Sequence, residues 1–403
     1  MKNILIVSPF LPWPLNSGGN TGVYYMLEFV SKYKDVYFLT LYNKRYNNYE
    51  QLSGLKKQLP NVHFLMYDYR NTHFQKYEYL RKILRYFCGK VKFGDSNCAM
   101  NKMNLTESIT PGLIRCVNDT IVSNAIDVVQ IEFLGLHPLI YAIPKNIKKI
   151  FIHHELGWVR HELTNGKDIY SLFLNNFFKD SEIAILNKYD IVASLTEIDR
   201  CKLLDAGLTT NVCVSTLAIS NCVMDFQNQM FSNRLTFIGG SGHYPNFDGI
   251  KWFVSNVLPI ITLQNPNIKL EIIGAWDQNS QKEIHVLNSN VVFRGFVDDL
   301  NVGLQNSIMV VPINIGSGMR MKILEAANYS VPFVSTKIGV EGLDFENSKD
   351  CYIAEDAPDM ANKILELAND ENLYHQFSLN AHNVFERKYS INTLGKERLK
   401  LYE

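Results

Sequence analysis

The sequence predicts an α/β protein built from two facing, doubly wound parallel-sheet domains. Apolar runs of strand length alternate with helical patterns along the whole 403-residue chain. These runs are almost continuously hydrophobic, which is typical of parallel strands that are covered on both faces. The alternation is interrupted by a polar, aperiodic stretch at 221–233 and then begins again. We therefore expect a first domain at 1–218, a linker, and a second domain of similar size at 230–387.

In the first domain, the order of the elements follows from the alternation of short apolar runs with longer helical patterns. The predicted strands are at 4–8, 36–42, 62–66, 127–131, 149–152, 191–194 and 212–214. The predicted helices include 23–32, 169–187 and 197–206. Thr196, followed three residues later by Asp199, is typical of a helix N-terminus that is capped by a hydroxyl.

The second domain repeats the scheme. Predicted strands lie at 235–239, 270–273, 291–293, 309–311 and 331–336. Predicted helices lie at 246–264, at 299–305, from about 319, at 357–369 and at 371–387. Sheets of this class bind ligands beyond the carboxyl ends of their strands, so we expect the site in the cleft between the domains.

Composition narrows the functional class. Lys+Arg and Asp+Glu both number 40, which excludes the basic excess of a general nucleic-acid binder. The seven cysteines show neither CxxC pairs nor zinc-site spacing and suit a reduced, cytoplasmic protein. The first apolar run is too short for a signal peptide, and no window reaches the ~18 apolar residues of a spanning helix. We expect a cytoplasmic protein that does not cross a membrane.

The most informative motif is a glycine-rich turn at 316–318 between a strand and a helix. Arg320 and Lys322 stand in the first turn of that helix, where they oppose the macrodipole unless an anion is bound. Surface charges in solvent are the alternative interpretation. Glu325, further along the helix, could reach neutral hydroxyls beside the anion. A phosphate next to a diol is typical of a nucleotide.

Two other glycine-rich loops follow the first strand of each domain. Gly18 and Gly19 allow the backbone to approach a ligand, although a connection without a ligand is as compatible with the pattern. Gly240 and Ser241 could hold a phosphate through main-chain amides. Neither loop is a GxGxxG fingerprint, and the chain has no P-loop lysine motif.

Further candidates stand at strand ends. His153 and His154 follow the strand at 149–152 and point in opposite directions, so at most one faces a ligand. A structural histidine is the alternative, and a metal site lacks an evident third ligand. Phe296 and Val297 follow another strand, where a tight turn could present main-chain groups to a base. A helix cap by Asp298 explains that turn equally well.

A basic, aromatic amphipathic pattern runs from 74 to 92. Such a helix could rest on an anionic membrane surface or receive a phosphorylated acceptor. An ordinary packed helix with a solvated basic face is the alternative. If the membrane interpretation holds, neutralising Arg81, Lys82 and Arg85 is expected to abolish sedimentation with anionic vesicles.

Taken together, these features resemble the GT-B-fold retaining glycosyltransferases of the bacterial group 1 type. The resemblance covers nearly the whole chain and is strongest at 235–343. In the second half it is carried by the segments 237–240, 245–249, 252–253, 257–259, 272–274, 292–299, 316–326, 331–336 and 339–343. In the first half it is carried by 12–14, 18–19, 131–133 and 190–200. It implies a C-terminal helix within 388–403 that crosses back onto the first domain. It also implies transfer of a sugar from a nucleotide-diphosphate sugar to a hydroxyl, with retention of configuration.

The resemblance also implies residue roles. Glu325 matches the second glutamate of the family's Glu-x7-Glu motif, which binds the ribose of the donor. The first glutamate is replaced by Ser317. Ser317 and the amides of Gly318 and Met319 would then contact the sugar or the diphosphate.

Other family positions match in part. The basic pair that the family places after the first strand of the second domain is missing, and Arg320 and Lys322 resemble its replacements. Phe296 and Val297 match the main-chain contact to the base, and His153 or His154 resembles the histidine near the donor sugar. Neither a metal nor another cofactor is expected.

The expected acceptor is a glycan or a lipid-linked molecule used in cell-surface polysaccharide synthesis, reached at the inner face of the membrane. Two other functions stay open. A nucleotide-sugar epimerase would act on the donor alone. A non-catalytic GT-B binding or assembly subunit would explain the missing first glutamate.

Overall fold

The computed structural model describes residues 2–15, 18–44, 48–68, 109–164, 168–222, 230–297, 299–316 and 318–403. The predicted basic helix at 74–92, most of the predicted linker, Asp298 and Ser317 lie outside these residues. Within them the chain forms two parallel sheets, each with helices on both faces.

The first sheet has seven strands in the order β3-β2-β1-β4-β5-β6-β7. All of its neighbouring strands are parallel. The strands are β1 (Asn3–Ser8), β2 (Asp35–Leu41), β3 (Val62–Tyr67), β4 (Val128–Glu132), β5 (Lys148–His153), β6 (Ile191–Ser194) and β7 (Asn211–Val214). All seven strands predicted for this domain are therefore confirmed.

The helices of the first domain cover both faces of this sheet. They are α1 (Gly18–Val30), α2 (Tyr49–Gln58), α3 (Pro111–Ser123), α4 (Gly157–Thr164), α5 (Ile169–Leu186) and α6 (Glu197–Asp205), with a 3-10 helix at Leu134–Ala142. The predicted cap of α6 is confirmed, because the amide of Asp199 donates to Oγ1 of Thr196 over 3.1 Å. The helices α2, α3 and α4 and the 3-10 helix were not among those named from the sequence.

The second sheet has six strands in the order β10-β9-β8-β11-β12-β13, again all parallel. They are β8 (Arg234–Ile238), β9 (Lys269–Ile273), β10 (Val291–Gly295), β11 (Ser307–Val311), β12 (Phe333–Thr336) and β13 (Tyr352–Ala354). The doubly wound architecture predicted for both halves is confirmed, and β13 is an additional edge strand.

The helices of the second domain are α7 (Tyr244–Asn256), α8 (Leu258–Gln264), α9 (Gln278–Leu287), α10 (Leu300–Leu304), α11 (Met321–Asn328), α12 (Lys337–Val340), α13 (Ala357–Asn369) and α14 (Glu371–Lys388). The prediction of one helix at 246–264 was wrong, because the segment is divided into α7 and α8. Pro259 lies in the first turn of α8. Proline fits the first turn of a helix but removes a hydrogen bond from a helix interior, so the long helix breaks here.

The final helix, α15 (Ile391–Lys400), crosses back onto the first domain, as the resemblance implied. A methyl group added at Gly395 would lie 2.5 Å from the ring of Phe29 in α1, so only glycine allows this approach. The Arg398 guanidinium donates to the carbonyl of Ser215 over 3.1 Å. Among the described residues, no helix is both long and apolar enough to cross a membrane.

Candidate functional site

Loops from the carboxyl ends of the two sheets meet in the cleft. A methyl group added at Gly18, the first residue of α1, would lie 2.6 Å from Cβ of Met321 in α11. One added at Gly318 would lie 2.9 Å from the carbonyl oxygen of His154. Glycine at both positions therefore lets the backbone of one domain touch the other, at the place where the sequence predicted the site.

The turn before α11 is shaped by left-handed glycines. Gly316 has φ of 120° and Gly318 has φ of 79°, values that other residues rarely adopt. The sequence predicted that the helix begins near Met319. It begins instead at Met321, and Met319 is partly buried in the turn. Among the described residues, no side chain caps this helix, so the positive end of its dipole is directed at the cleft.

Lys322 lies in the first turn of α11 and is held by two contacts. Its Nζ donates to Oδ1 of Asn246 over 2.8 Å and lies 3.8 Å from the centroid of the Phe237 ring. Burial lowers the pKa of Lys322 well below its usual value, and the nearby Arg320 acts in the same direction. An ammonium group in this position gains from an anion, since a negative charge would offset the desolvation.

Asn246 is a site residue that the sequence analysis missed. While its Oδ1 accepts from Lys322, its Nδ2 donates to the carbonyl of Gly240 over 3.0 Å. Asn246 thus joins the loop after β8 to the helix that carries the candidate nucleotide contacts. The adjacent His243 was also missed, and burial together with Lys322 lowers its pKa. Asn246 and His243 are recognised as residues of the candidate site only because they lie opposite α11 in the structure.

Glu325 lies one turn further along α11 and is 8% exposed. Burial raises the pKa of its carboxyl to about 7, while Lys322 acts in the opposite direction. Burial raises the pKa values of Tyr25 in α1 and of Tyr329, and the Glu325 carboxyl adds to both shifts, which places all three groups in one neighbourhood. A carboxyl group in this position can accept hydrogen bonds from ligand hydroxyls.

The raised pKa of Glu325 predicts a pH dependence of stability. The folded carboxyl keeps its proton up to about pH 7, whereas the unfolded one loses it near 4.5. Between these values the unfolded state binds fewer protons, so the free energy of unfolding falls as the pH rises, by up to about 3 kcal/mol. Urea unfolding from pH 4.5 to 8 is expected to show this fall relative to Glu325→Gln. Parallel curves for the two proteins would contradict it.

Arg320 closes the turn that precedes α11. Its guanidinium donates to the carbonyl of Gly318. Burial lowers its pKa, while Glu341 and Asp199 act in the opposite direction. Asp199 belongs to the first domain, so the guanidinium lies where carboxylates of both domains influence it. Together with Lys322 it supplies the positive charge of the cleft.

The loop at Gly240 and Ser241 packs against the loop after β9. The Ser241 hydroxyl donates to Oδ2 of Asp277 over 2.9 Å, and the Trp276 indole donates to the carbonyl of Gly239 over 2.7 Å. A methyl group added at Gly240 would lie 2.8 Å from the carbonyl of Ala275. The Ser241 amide donates to the carbonyl of Ala275 over 3.1 Å, so the predicted amide contact of Ser241 is wrong and the Gly240 amide is the group of this pair that is left for a ligand.

Phe296 and Val297 follow β10 as predicted. Phe296 is 56% exposed and Val297 is half-buried, and the preceding Gly295 has φ of 69°. The cap of the following helix is Asp299, whose Oδ1 accepts from the amide of Asn301 over 2.9 Å. The main-chain contact of these two residues to a base stays a prediction.

The structure distinguishes the two histidines. His153 is 1% exposed, and its Nε2 lies 2.7 Å from Oε1 of Glu182 in α5, inside the first domain. His154 instead stacks on Phe133, with ring centroids 3.9 Å apart, and its backbone touches Gly318. Only His154 is therefore placed at the cleft. His153 is buried and pairs with a carboxylate, in agreement with the alternative interpretation of a structural histidine.

Phe133 also connects the first glycine loop to this region. Its ring lies 3.8 Å from the position of a methyl group added at Gly19. The structure thus brings together at the cleft residues of both domains, namely Gly18, Gly19, His154, Gly318, Met319, Arg320, Lys322 and Glu325. The described residues contain no group of three or more metal-ligating side chains. Metal independence stays a prediction.

A Gly318→Ala variant tests the contact between the domains. The left-handed φ makes alanine unfavourable by about 1–2 kcal/mol, and the methyl group also meets the His154 carbonyl. Gly207→Ala is the matched control, since Gly207 has φ of 99° with nothing near its added methyl group. We expect similar losses of stability, but a roughly tenfold weaker nucleotide affinity only for Gly318→Ala. Equal affinities in calorimetric titrations would contradict this role.

Comparisons with known proteins agree with this architecture. Residues 232–370 match the family model described as glycosyl transferases group 1. A Klebsiella pneumoniae protein, described as an uncharacterized 44.6 kDa protein in the cps region, is 22% identical over 96% of this chain and 97% of its own. The poly(ribitol-phosphate) alpha-N-acetylglucosaminyltransferase of Staphylococcus aureus is 26% identical over 237 residues, 56% of this chain and 47% of that protein.

Among solved structures, TarM from S. aureus in complex with fondaparinux, alpha-GlcNAc-glycerol and UDP superposes on the full length of both chains. Its TM-score is 0.71 at 17% sequence identity. At this identity the likeness establishes the fold, with its two sheets and crossing helix. Residues 232–370 are therefore similar to the glycosyl transferases group 1 family, and the chain as a whole has the GT-B fold.

Proposed function

We propose that the protein transfers a sugar from a nucleotide-diphosphate sugar to a hydroxyl of a glycan or lipid-linked acceptor, with retention and without a metal. The observation that carries this proposal is the pair of buried ionisable groups on α11. Lys322 and Glu325 stand three residues apart behind a left-handed glycine turn, on the helix that meets the first domain. The Lys322 ammonium would bind the diphosphate, and the Glu325 carboxyl would bind the hydroxyls of the pentose that follows it.

The leaving diphosphate is the group that the site must stabilise. Breaking the anomeric C–O bond places negative charge on the diphosphate, which Lys322, Arg320 and the amino end of α11 would offset. With retention, the acceptor hydroxyl attacks from the face that the diphosphate leaves, and the departing phosphate oxygen takes its proton. No carboxylate base is then required. Contact between the domains at Gly318 would exclude water from the cleft.

Glu325 would accept hydrogen bonds from the ribose hydroxyls, and the backbone at Phe296 and Val297 would contact the base. Gly240 would add its main-chain amide to the diphosphate, while Ser241 holds this loop against Ala275 and Asp277. Ser317, Gly318 and Met319 would lie beside the sugar or the diphosphate. His154 would lie near the donor sugar, since its backbone already touches the turn before α11.

The relatives suggest which substrates to test. The S. aureus relative is named for transfer of N-acetylglucosamine to poly(ribitol-phosphate), and TarM was crystallised with UDP. The K. pneumoniae relative is assigned to a cps region. We therefore propose a UDP-sugar donor and a role in cell-surface polysaccharide synthesis at the inner face of the membrane.

The decisive experiment is a transfer assay with UDP-glucose, UDP-galactose and UDP-N-acetylglucosamine, offered with simple glycoside and polyol-phosphate acceptors. We expect a glycosylated product whose anomeric configuration, measured by NMR, equals that of the donor, and whose yield is unchanged by a chelator. Conversion of the donor without an acceptor would indicate an epimerase instead. Donor binding without any turnover would indicate a non-catalytic subunit, and either outcome would overturn the proposal.

A further inference from the structure

A chain of buried hydrogen bonds connects the C-terminal segment to the histidine at the cleft. The Tyr402 hydroxyl donates to Oε1 of Gln130 over 2.6 Å. The Gln130 amide donates to Oε1 of Glu132 over 2.5 Å, and Nε2 of His154 lies 2.5 Å from Oε2 of the same carboxylate. The first three of these side chains are at most 2% exposed.

In this series of hydrogen bonds, each donor is directed towards Glu132. An ionised carboxylate only accepts hydrogen bonds, so His154 must carry a proton on Nε2. Both carboxylate oxygens have a donor, one from Gln130 and one from His154. The plane of the carboxylate, the orientation of the imidazole and the nitrogen that bears the proton are thereby defined together.

The backbone supports the same arrangement. Phe133, between Glu132 and the 3-10 helix, has φ of 67° and ψ of 142°, a conformation that is rare for a residue with a side chain. In this conformation its ring stacks on His154 with an interplanar angle of 9°. The imidazole is thus held by a flat aromatic face on one side and by a carboxylate at its edge.

Arg398 and Tyr402 come from the C-terminal segment that crosses back onto the first domain. Arg398 and Tyr402 border a small internal cavity together with Gln130 and Glu132. Burial raises the pKa of Tyr402 to about 12, so its hydroxyl stays protonated and remains a donor. The segment that leaves the second domain through α14 and α15 therefore ends within the polar network that holds His154.

We infer that Glu132 and, through Gln130, Tyr402 are positioning residues that hold His154 as its Nε2–H form and in a single orientation at the cleft. The inference rests on the proposed function only for the consequence that this orientation serves transfer. Docking of the C-terminal segment then determines the geometry of a site histidine about 250 positions earlier in the chain. A transferase whose tail is displaced would bind donor but turn it over slowly.

The test reads the histidine ring directly in the free protein. Ring nitrogen NMR shifts of His154, assigned with His154→Gln, are expected to show one Nε2–H form in the unaltered protein. Glu132→Gln offers one acceptor oxygen where two donors converge, so a mixture of ring forms is expected. Tyr402→Phe removes the last donor, so broadened or shifted His154 signals are expected.

Matched controls separate positioning from general stability. Glu182→Gln changes the same kind of carboxylate–histidine pair at His153, and Tyr374→Phe removes a buried hydroxyl that donates to Ser307 over 2.9 Å. Both controls are expected to lower the melting temperature and leave the His154 signals unchanged. Unchanged His154 signals in Glu132→Gln and Tyr402→Phe would overturn the inference.

Transfer kinetics supply the second readout. We expect Glu132→Gln to lower kcat about ten- to a hundredfold and Tyr402→Phe about fivefold, with the donor KM changed less than threefold. If the ring signals change but no transfer is found with any variant or with the unaltered protein, the proposed function fails and the positioning network stands. If transfer is found and the ring signals do not respond, only the network fails.

Discussion

A Lys322→Met variant is expected to bind a nucleoside diphosphate roughly thirty- to several-thousandfold more weakly than the unaltered protein. Removing one partner of a buried, hydrogen-bonded charge pair costs about 2–5 kcal/mol. The Lys322 ammonium lies between Asn246 and the Phe237 ring, and burial lowers its pKa until an anion is present. Isothermal titration with UDP measures the loss.

The discriminating comparison is with uridine, which has no phosphate. Its affinity is expected to change less than threefold in Lys322→Met, since the nucleoside would lie further along α11. Lys251→Met is the matched control, because Lys251 is exposed in the same domain and pairs with Glu283 over 2.7 Å. Equal losses for UDP and uridine would assign Lys322 a structural role.

The stability of Lys322→Met should not fall with its affinity. Methionine has about the length of the lysine stem and would keep contact with the Phe237 ring. Removal of the desolvated ammonium favours folding of the free protein, which offsets the loss of the hydrogen bond to Asn246. An unchanged or higher melting temperature together with weak UDP binding would separate the loss of a ligand contact from the loss of the fold.

A Glu325→Gln variant is expected to bind the nucleotide donor about ten- to a hundredfold more weakly. A hydrogen bond to a charged group contributes about 1.5–3 kcal/mol, and the variant keeps the shape of the side chain while losing the carboxylate. The same variant removes the buried acid whose pKa is raised to about 7. Its free energy of unfolding at pH 8 is therefore expected to equal or exceed that of the unaltered protein.

A donor lacking the ribose hydroxyls provides the control for this prediction. The unaltered protein is expected to bind a 2′,3′-dideoxy nucleotide as weakly as Glu325→Gln binds the normal one, and the two losses should not add. Additive losses would show that the carboxylate and the hydroxyls do not contact each other. They would assign Glu325 a different role on α11.

Most of the fold could be predicted from the sequence because short-range patterns of apolar residues determine the positions of the strands. Most predicted strands are apolar runs that the parallel sheets bury on both faces, such as β1 and β12, whereas the edge strand β7 is partly exposed. The turn before α11 was also visible, since a left-handed φ requires glycine and a helix start with basic residues is unusual. Lys322 and Glu325 were therefore identified from spacing alone. The break at Pro259 was missed, although proline in a helix interior signals it.

Only the tertiary structure decided which groups surround those residues. His153 and His154 are neighbours in the sequence, but the pleat of β5 buries one against Glu182 and directs the other to the cleft. Asn246 became a site residue because the second sheet brings α7 opposite α11. Such contacts depend on packing between segments that are distant in the chain, and no local periodicity records them. Sequence patterns thus determined the strands, most of the long helices and the glycine turn before α11, whereas long-range packing alone determined the partners of each ionisable group.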